Sequence, residues 1–516
     1  MKQLVLSEWL LTQLSQQKFP TRMPNHRRVY EAIRRAITEH VLPSGARLPS
    51  TRELAADLNM SRNTILAAFD QLLDEGYVAA KTGSGTFVCY KQTDALFKLN
   101  DTSLKQTDAL FKQPENLSKN IGAINPLKSE AHTELSQRGL LASSSLSNHE
   151  VQPFTPGEDD YSRFPITLWR RLLNRQWRAL NPQLLDSSHD GGYLPLRQAI
   201  AEYLRVSRAV NLTVDQVLIT SGTQQSIDLC ARLLTDHNDW AWVENPCYWA
   251  ARRVLEVNGL QLHPIAVDNE GMAPSTEDFR VKPRLIYTTP SHQYPKGMVM
   301  SYGRRRLLLD YAQSSSAWII EDDYDSEFRF EGRPISSLQG MDQDGRVLYL
   351  GTFSKVMYPG IRLGYVVIPP QLVVAFKNGL YELQRPGQVM IQAALADFIE
   401  EGHFASHIRR LKQTYAERRR LLQAALAPVS KVGARLSMVD SGLHLVVEFD
   451  ANINDVQVAE LAAEQGLRVY ALSNYCMGEQ REKGLIIGYA YAATESITQY
   501  GNVLAMVIQS ALTNYK

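Results

Sequence analysis

Three observations predict an α/β chain carrying a small winged helix-turn-helix head. Short apolar runs alternate with helix-period segments from Pro153 onwards, the pattern of a mainly parallel sheet covered by helices. Two short capped helices and a Gly-tipped hairpin occupy the first part of the chain. An acid triplet and a lysine follow directly on two of the apolar runs, where α/β folds place ligands.

The head lies within residues 20–90. Val29, Ile33 and Ile37 recur at helical spacing with arginines between them, which predicts a helix over 27–37 with a basic outer face. Pro43-Ser44-Gly45 is a loop. Ser50 with Glu53 forms a capping box that starts a helix through Leu58. Asn59-Met60 turns the chain, and Ser61 caps a second helix from Arg62 to about Glu75, stopped at Gly76. Tyr77-Val78-Ala79-Ala80 and Thr86-Phe87-Val88 flank Lys81-Thr82-Gly83-Ser84-Gly85 and read as a hairpin, the wing. In this motif the second helix enters the major groove, where Arg62 can read guanine and Asn63 adenine, while Lys81 and the wing backbone suit phosphates or the minor groove. The plainer reading pairs Arg52 and Arg62 with Glu53 or Asp57.

Residues 91–150 are rich in Ser, Gln, Asn, Lys and Thr and read as a flexible linker. Lys91 to Lys98 (KQTDALFK) reappears letter for letter as Lys105 to Lys112, a slipped duplication that a spacer accepts cheaply. Residues 151–516 form the large domain, with strands expected over 216–220, 240–244, 284–288, 318–321 and 347–350. A smaller α+β lobe begins near Pro370.

Lysine plus arginine (55) almost cancel aspartate plus glutamate (54), so any attraction to nucleic acid must be local. Four cysteines without a C-x-x-C spacing argue against a zinc site and a secreted disulfide framework. The first fourteen residues lack the features of a signal peptide, and no apolar run approaches the ~18 residues that span a bilayer. A reducing cytoplasm is the expected compartment, with no metal and no membrane.

A phosphate-bearing aldehyde cofactor needs an amine, a carboxylate for its ring nitrogen, anion donors and a flat surface. Lys355, in Gly351-Thr352-Phe353-Ser354-Lys355 beyond the apolar run Val347-Leu348-Tyr349-Leu350, is the amine and can form a Schiff base. Ser221-Gly222-Thr223 follows an apolar strand and opens a helix, an anion nest. Arg362, Thr352 and Ser354 add a charged clamp and hydroxyls. Asp322, in Glu321-Asp322-Asp323-Tyr324-Asp325, stands at the carboxyl edge of the sheet beside the expected ring nitrogen, with Tyr324 in reach of the ring oxygen. Tyr248 follows another strand end, where it can stack on the ring or simply pack in the core.

Residues 153–516 resemble the class I, fold-type-I aminotransferases that use pyridoxal 5′-phosphate (PLP), and residues 25–90 resemble the GntR winged helix. Together they resemble the MocR subfamily of transcriptional regulators. The motifs are Leu48-Pro49-Ser50-Thr51-Arg52-Glu53-Leu54-Ala55, Ser61-Arg62-Asn63-Thr64, Thr289-Pro290-Ser291-His292-Gln293-Tyr294-Pro295, the acid run on to Phe328, and the lysine segment. The resemblance implies that Lys355 anchors PLP, Asp322 pairs with the pyridine nitrogen, Tyr324 bonds the ring oxygen and Tyr248 stacks. It assigns the phosphate to Ser221, Gly222, Thr223, Thr352, Ser354 and Arg362, and places His292 or Gln293 near the ring oxygen. On the DNA side it implies Arg47, Arg52, Ser61, Arg62, Asn63 and Thr64, with Lys81, Thr82 and Gly83 at the wing. A homodimer reading two operator half-sites is implied as well.

Two departures bear on the effector. Where aminotransferases hold the substrate α-carboxylate with an arginine in a late strand, this chain has Ile486; where GABA-responsive relatives have an arginine two residues after the stacking tyrosine, it has Ala250. Arg252, Arg253 and Arg481 are the remaining candidates for a clamp. The expected function is therefore a PLP-binding, sequence-specific regulator that senses PLP, with a link to vitamin B6 synthesis, or an amine or amino acid. The alternative is a working aminotransferase with an appended head.

Overall fold

The structure is a computed structural model that describes residues 24–38, 41–43, 45–74, 77–81, 85–88, 135–143, 151–179, 182–185, 190–330, 336–385, 387–437, 441–450, 453–479 and 481–514. Two compact units divide the chain, one over Met1–Ser144 and one over Ser145–Lys516.

The head of the first unit is built from the helices α1 (Asn25–Thr38), α2 (Thr51–Asp57) and α3 (Arg62–Asp74) and the strands β1 (Val78–Lys81) and β2 (Gly85–Val88). The stripe Val29, Ile33 and Ile37 is fully buried and shares the head's core with Leu54, Ile65, Phe69 and Leu72. The capping box forms as the spacing dictates: the Glu53 N–H donates to Ser50 Oγ at 3.2 Å, and the Ser50 N–H donates to Glu53 Oε2 at 2.9 Å. Asn59 takes a left-handed backbone (φ 49°) in the turn between α2 and α3. Thr64 N–H donates to Ser61 Oγ at 3.2 Å, the N-cap expected of α3. β1 and β2 pair antiparallel from Val78↔Val88 to Lys81↔Gly85, and Arg47 bridges to Phe87 as a third short edge. A helix over Gln137–Ser143 with no buried residue falls inside the segment read as linker; the duplicated octapeptides lie outside the described residues.

In the second unit the strands are β3 (Val217–Thr220), β4 (Trp240–Asn245), β5 (Gln261–Asp268), β6 (Gly271–Met272), β7 (Leu285–Thr288), β8 (Trp318–Asp323), β9 (Val347–Thr352) and β10 (Gly364–Val367). They form one eight-stranded sheet in the order β3-β10-β9-β8-β7-β4-β5-β6. The centre, from β5 through β4, β7 and β8 to β9, is parallel, and β10 runs antiparallel to both neighbours. The central strands are buried on both faces, which is why they read as unbroken apolar runs rather than as alternation. The smaller lobe carries a second, antiparallel sheet of β11 (Ala434–Leu436), β12 (His444–Phe449), β13 (Tyr470–Ala471) and β14 (Gly484–Gly488) in the order β11-β12-β14-β13.

The parallel centre brings the ends of β4, β7, β8 and β9 to one edge. Residues 245–248, 289–294, 322–325 and 352–355 therefore converge although they are far apart in sequence.

Candidate functional site

The acid run at the end of β8 shows how the edge is wired. Successive side chains of a strand face opposite ways, so Glu321 and Asp323 point to one side and Asp322 to the other. Glu321 accepts the backbone N–H groups of Leu338 and Gln339 at 2.7 and 2.8 Å. Asp323 Oδ2 is held by the Arg208 guanidinium at 2.8 Å and by the Tyr349 and Ser326 hydroxyls. Asp322, 3% exposed, faces the cavity: its Oδ2 accepts from Tyr287 Oη at 2.7 Å, and its Oδ1 is buried with no partner. Burial pushes its carboxyl up to about 7, against the Tyr287 hydrogen bond, with the neighbouring carboxylates Asp323, Asp325 and Glu244 adding to the rise.

A cavity of about 380 Å³ opens at this edge. Asp322, Tyr324, Tyr248, Gly222, Thr223, Thr352, Ser354, Lys355 and Arg362 all line it. Lys355 Nζ donates to the carbonyl of Gly157, a residue whose left-handed backbone (φ 87°) favours glycine. Gly222 caps the helix Thr223–Leu234 at φ 115°, with open space where a Cβ would stand, so backbone N–H groups can meet an anion there. Gly364 of β10 makes this possible, since a Cβ on it would come within 2.9 Å of the Gly222 Cα. Arg362 is exposed to the cavity and makes no ion pair among the described residues. Burial raises the Tyr248 phenol well above its ordinary range, and its ring packs edge-on against Tyr294 at 5.5 Å.

Two expected ligands stand elsewhere. Ser221 is half-buried outside the lining, its N–H donated to the Gln225 side chain. His292, 2% exposed, does not line the cavity; it sits behind Tyr324, with Nδ1 3.0 Å from Asp325 Oδ2 and 2.9 Å from Tyr324 Oη. Gln293 is turned away too, bonded to the Pro246 carbonyl at 2.9 Å and to Glu244 at 3.2 Å. Gly442, at φ 86°, lets His292 lie there: a Cβ would fall 1.8 Å from its Cε1. Gly442→Ala is expected to lower stability by about 2–3 kcal/mol, through overpacking and left-handed strain, as a reduced urea midpoint.

The sequence reading missed Gly157, Glu158, Tyr287, Tyr294, His444 and Tyr475, all of which line the cavity. Tyr287 was recoverable: β7 runs parallel to β8 with Tyr287 opposite Ile320, so alternation puts it on the face of Asp322. Gly157 and Glu158 come from the segment before the first strand, and His444 and Tyr475 from the small lobe, with no local signal. Burial lowers His444 to about 3, and its Nε2 lies 2.7 Å from the Pro295 carbonyl, so the imidazole is neutral and Nε2 is the donor.

Ile486 is fully buried among Val446, Leu472 and Tyr475, with Tyr294 and Tyr470 packed beside them. Arg252 and Arg253 reach Glu256 at 3.9 and 3.3 Å, Arg481 reaches the Gly478 carbonyl at 3.3 Å, and none of the three lines the cavity. Among the described residues Lys355 and Arg362 are its only lining Lys or Arg side chains.

On the head, Arg47, Arg52, Ser61, Arg62 and Asn63 are exposed and Thr64 is half-buried against Ser61 Oγ at 2.8 Å. Glu53 is engaged by Ser50 in the capping box. The Arg47 guanidinium lies against Gly85 at the start of β2. Lys81 ends β1, while Thr82 and Gly83 lie outside the described residues. No helix among the described residues is long and apolar enough to cross a membrane.

An orphaned buried carboxylate oxygen, an unpaired arginine at an open helix N-terminus and a lysine at a neighbouring strand end fit a flat cation-bearing ring with a phosphate and an aldehyde, which is the chemistry of PLP. Comparison with known proteins agrees. Residues 157–490 match the family "Aminotransferase class I and II", and residues 25–88 match "Bacterial regulatory proteins, gntR family". The chain is 37% identical to the "Probable rhizopine catabolism regulatory protein MocR" of Rhizobium meliloti, over 91% of this chain and 90% of that one. It is 30% identical to the "HTH-type pyridoxine biosynthesis transcriptional regulator PdxR" of Corynebacterium glutamicum, over 91% and 92%. Among solved structures the fold is shared with a Pyrococcus horikoshii kynurenine aminotransferase (TM-score 0.66, 24% identity, 74% of this chain and 97% of that one). A multiple substrate aminotransferase from Thermococcus profundus shares it as well (TM-score 0.68, 23% identity, 75% and 100%). The chain thus belongs to the MocR-type transcriptional regulators, in which a GntR winged helix-turn-helix is joined to a PLP-binding, aminotransferase-like domain.

Proposed function

We propose that this regulator acts as a homodimer whose affinity for operator DNA is set by what the Lys355 cavity holds: PLP, and a small primary amine that joins it there. The observation that carries the reading is the pairing of a cavity lined by the residues a PLP cradle needs with the lack, among the described residues, of a second lining guanidinium for an amino-acid carboxylate. PLP, when bound, supplies an electrophilic carbon for an amine and an electron-withdrawing ring. The chain's own residues do the rest. Asp322 Oδ1 would accept from the ring nitrogen, and Tyr287 would hold Oδ2 so that the carboxylate keeps its orientation. Tyr324 would face the ring oxygen with His292 and Asp325 bracing it from behind. Arg362, Thr352, Ser354 and the N–H groups at Gly222 and Thr223 would hold the phosphate, and Tyr248 would cover the ring. Ser221 and His292 would act from behind the lining. An amino acid would lack an anchor for its carboxylate, which weakens the aminotransferase alternative, because an unanchored substrate is poorly oriented for chemistry.

On the head, Arg62 and Asn63 at the start of α3 would reach base edges, and Arg47, Arg52 and the wing would hold phosphates, with Ser61 and Thr64 fixing the end of α3. Arg62→Ala is expected to cost about 1–3 kcal/mol of specific binding and to relax preference at one base pair. Arg47→Ala should instead weaken all sequences alike and reduce the salt slope by about one. Fluorescence anisotropy on a selected operator and its single-base variants separates the two.

The test of the whole reading uses the full chain with and without PLP. Operator affinity should change by about 5–150-fold on loading, the range of ordinary allosteric coupling. Lys355→Ala should lose the cofactor on desalting and leave no PLP adduct after borohydride reduction. Equal operator affinity in the loaded and cofactor-free protein, together with steady keto-acid release from amino acids, would point to the enzyme instead. A response to PLP alone would make the chain a reporter of vitamin B6 supply, in keeping with its similarity to the pyridoxine biosynthesis regulator of Corynebacterium glutamicum.

A further inference from the structure

The cavity lining carries an acid beyond those at the end of β8. This is Glu158, half-buried, with Oε2 accepting from Tyr161 Oη at 2.7 Å and the other oxygen unpartnered among the described residues. Directly after it, Asp159 is 4% exposed and neither of its carboxylate oxygens has a hydrogen bond. Burial pushes Asp159 up to about 7, against the pull of Lys355, so it ionises readily only when positive charge is close.

The segment bearing these acids is fixed from several sides. Gly488 N–H donates to the Phe154 carbonyl and Arg468 N–H to the Pro153 carbonyl, both at 2.9 Å. The Arg418 guanidinium holds Asp160 Oδ2 at 2.6 Å. A Cβ on Gly488 would fall 2.4 Å from the Thr155 carbonyl oxygen, so the segment is packed against β14 as closely as glycine allows. Glu158 is therefore presented by a rigid element, as a recognition group should be.

Opposing charge is scarce. Lys355 and Arg362 are committed to the cofactor, His444 is neutral, and Arg468, whose charge reaches Tyr470, is not part of the lining. Tyr294, Tyr470, Tyr475 and Trp249 supply aromatic surface, which favours an ammonium group over a carboxylate.

We propose that the amine sharing this cavity with PLP carries a second positive charge at its far end in place of a carboxylate, and that Glu158 is the residue that reads it. The proposal rests on the amine reading given above and narrows it from amines in general to small diamines and their cationic analogues.

Three probes with the same four-carbon skeleton test it: 1,4-diaminobutane, 1-aminobutane and 4-aminobutanoate, in which the far carbon bears an ammonium group, is a plain methyl or is a carboxylate. Each is titrated calorimetrically into the PLP-loaded full chain, and each is added to the operator-binding assay. The diamine should bind at least ~10-fold more tightly than either of the others, the worth of one charge-assisted hydrogen bond in a partly desolvated site. Glu158→Gln should bring the diamine to within about twofold of 1-aminobutane, with the cofactor content of the variant read from its visible absorbance in the same samples. Equal or tighter binding of 4-aminobutanoate by the wild type would overturn the inference while leaving the amine reading in place, and so would an undiminished diamine preference in Glu158→Gln. Silence from all three probes would overturn both.

Discussion

Asp322→Asn should lower PLP affinity by about two to four orders of magnitude while making the cofactor-free protein more stable at alkaline pH. The first effect follows from removing one member of a buried ion pair: the ring cation would face a neutral amide at the place where Asp322 Oδ1 waits without a partner, a loss of about 3–5 kcal/mol. The second follows from linkage. The Asp322 carboxyl is raised from 3.8 to about 7 in the fold, chiefly by burial. Between those values the folded state holds a proton that the unfolded state has released, so stability falls as pH rises from about 4 to about 7 and stays low above that. Three units at 1.36 kcal/mol each set an upper bound of about 4 kcal/mol on what the wild type gives up, and asparagine, which does not ionise, gives up none of it. The protein would thus keep a strained acid for the sake of its cofactor, as binding sites commonly do. Thermal melts of both cofactor-free forms at pH 5 and pH 8, with PLP dissociation constants at pH 8, check both signs. Retention of PLP affinity within threefold would show that the orphan oxygen does not face the ring nitrogen.

Much of this was legible because the relevant signals are local. Capping depends on residues three apart, so Ser50 with Glu53 and Ser61 with Thr64 announce α2 and α3 without tertiary help. The central strands announce themselves as unbroken apolar runs because both faces are covered. Their ends ran further than expected, β8 to Asp323 and β9 to Thr352, since polar residues at the edge of a parallel ladder still pair with their neighbours. What stayed hidden depends on pairs distant in sequence. His292 could be placed near the ring by analogy, but only the fold shows Asp325 and Gly442 drawing it behind Tyr324. Glu158 and His444 reach the cavity from opposite ends of the large unit, the first on a segment pinned by Arg418 and Gly488, the second on β12. Ile486 was legible as a missing arginine, yet not as a residue inside a packed apolar cluster.

That burial decides how Ile486→Arg behaves. Val446, Leu472 and Tyr475 around the side chain offer no acid, and Ile486 has no exposure at all, so a guanidinium there would be desolvated without a counter-charge. The expected cost is about 3–5 kcal/mol, enough to lower the melting temperature by several degrees in a domain of this size. Nearby Tyr294, Tyr470 and Tyr475 line the cavity, so an arginine that escapes the cluster can do so only between those rings. A ligand carboxylate in the cavity would then be a partner for it, in competition with the lining acids Glu158 and Asp325. Ligand binding to the folded state alone raises stability by mass action, so 4-aminobutanoate should restore part of the lost melting temperature in PLP-loaded Ile486→Arg, and 1,4-diaminobutane should restore none. The wild type should show the reverse order. An Ile486→Arg protein as stable as the wild type would mean that the cluster already holds room and a partner for a charge, and the preference for a carboxylate-free ligand would then have to arise elsewhere in the cavity than at β14.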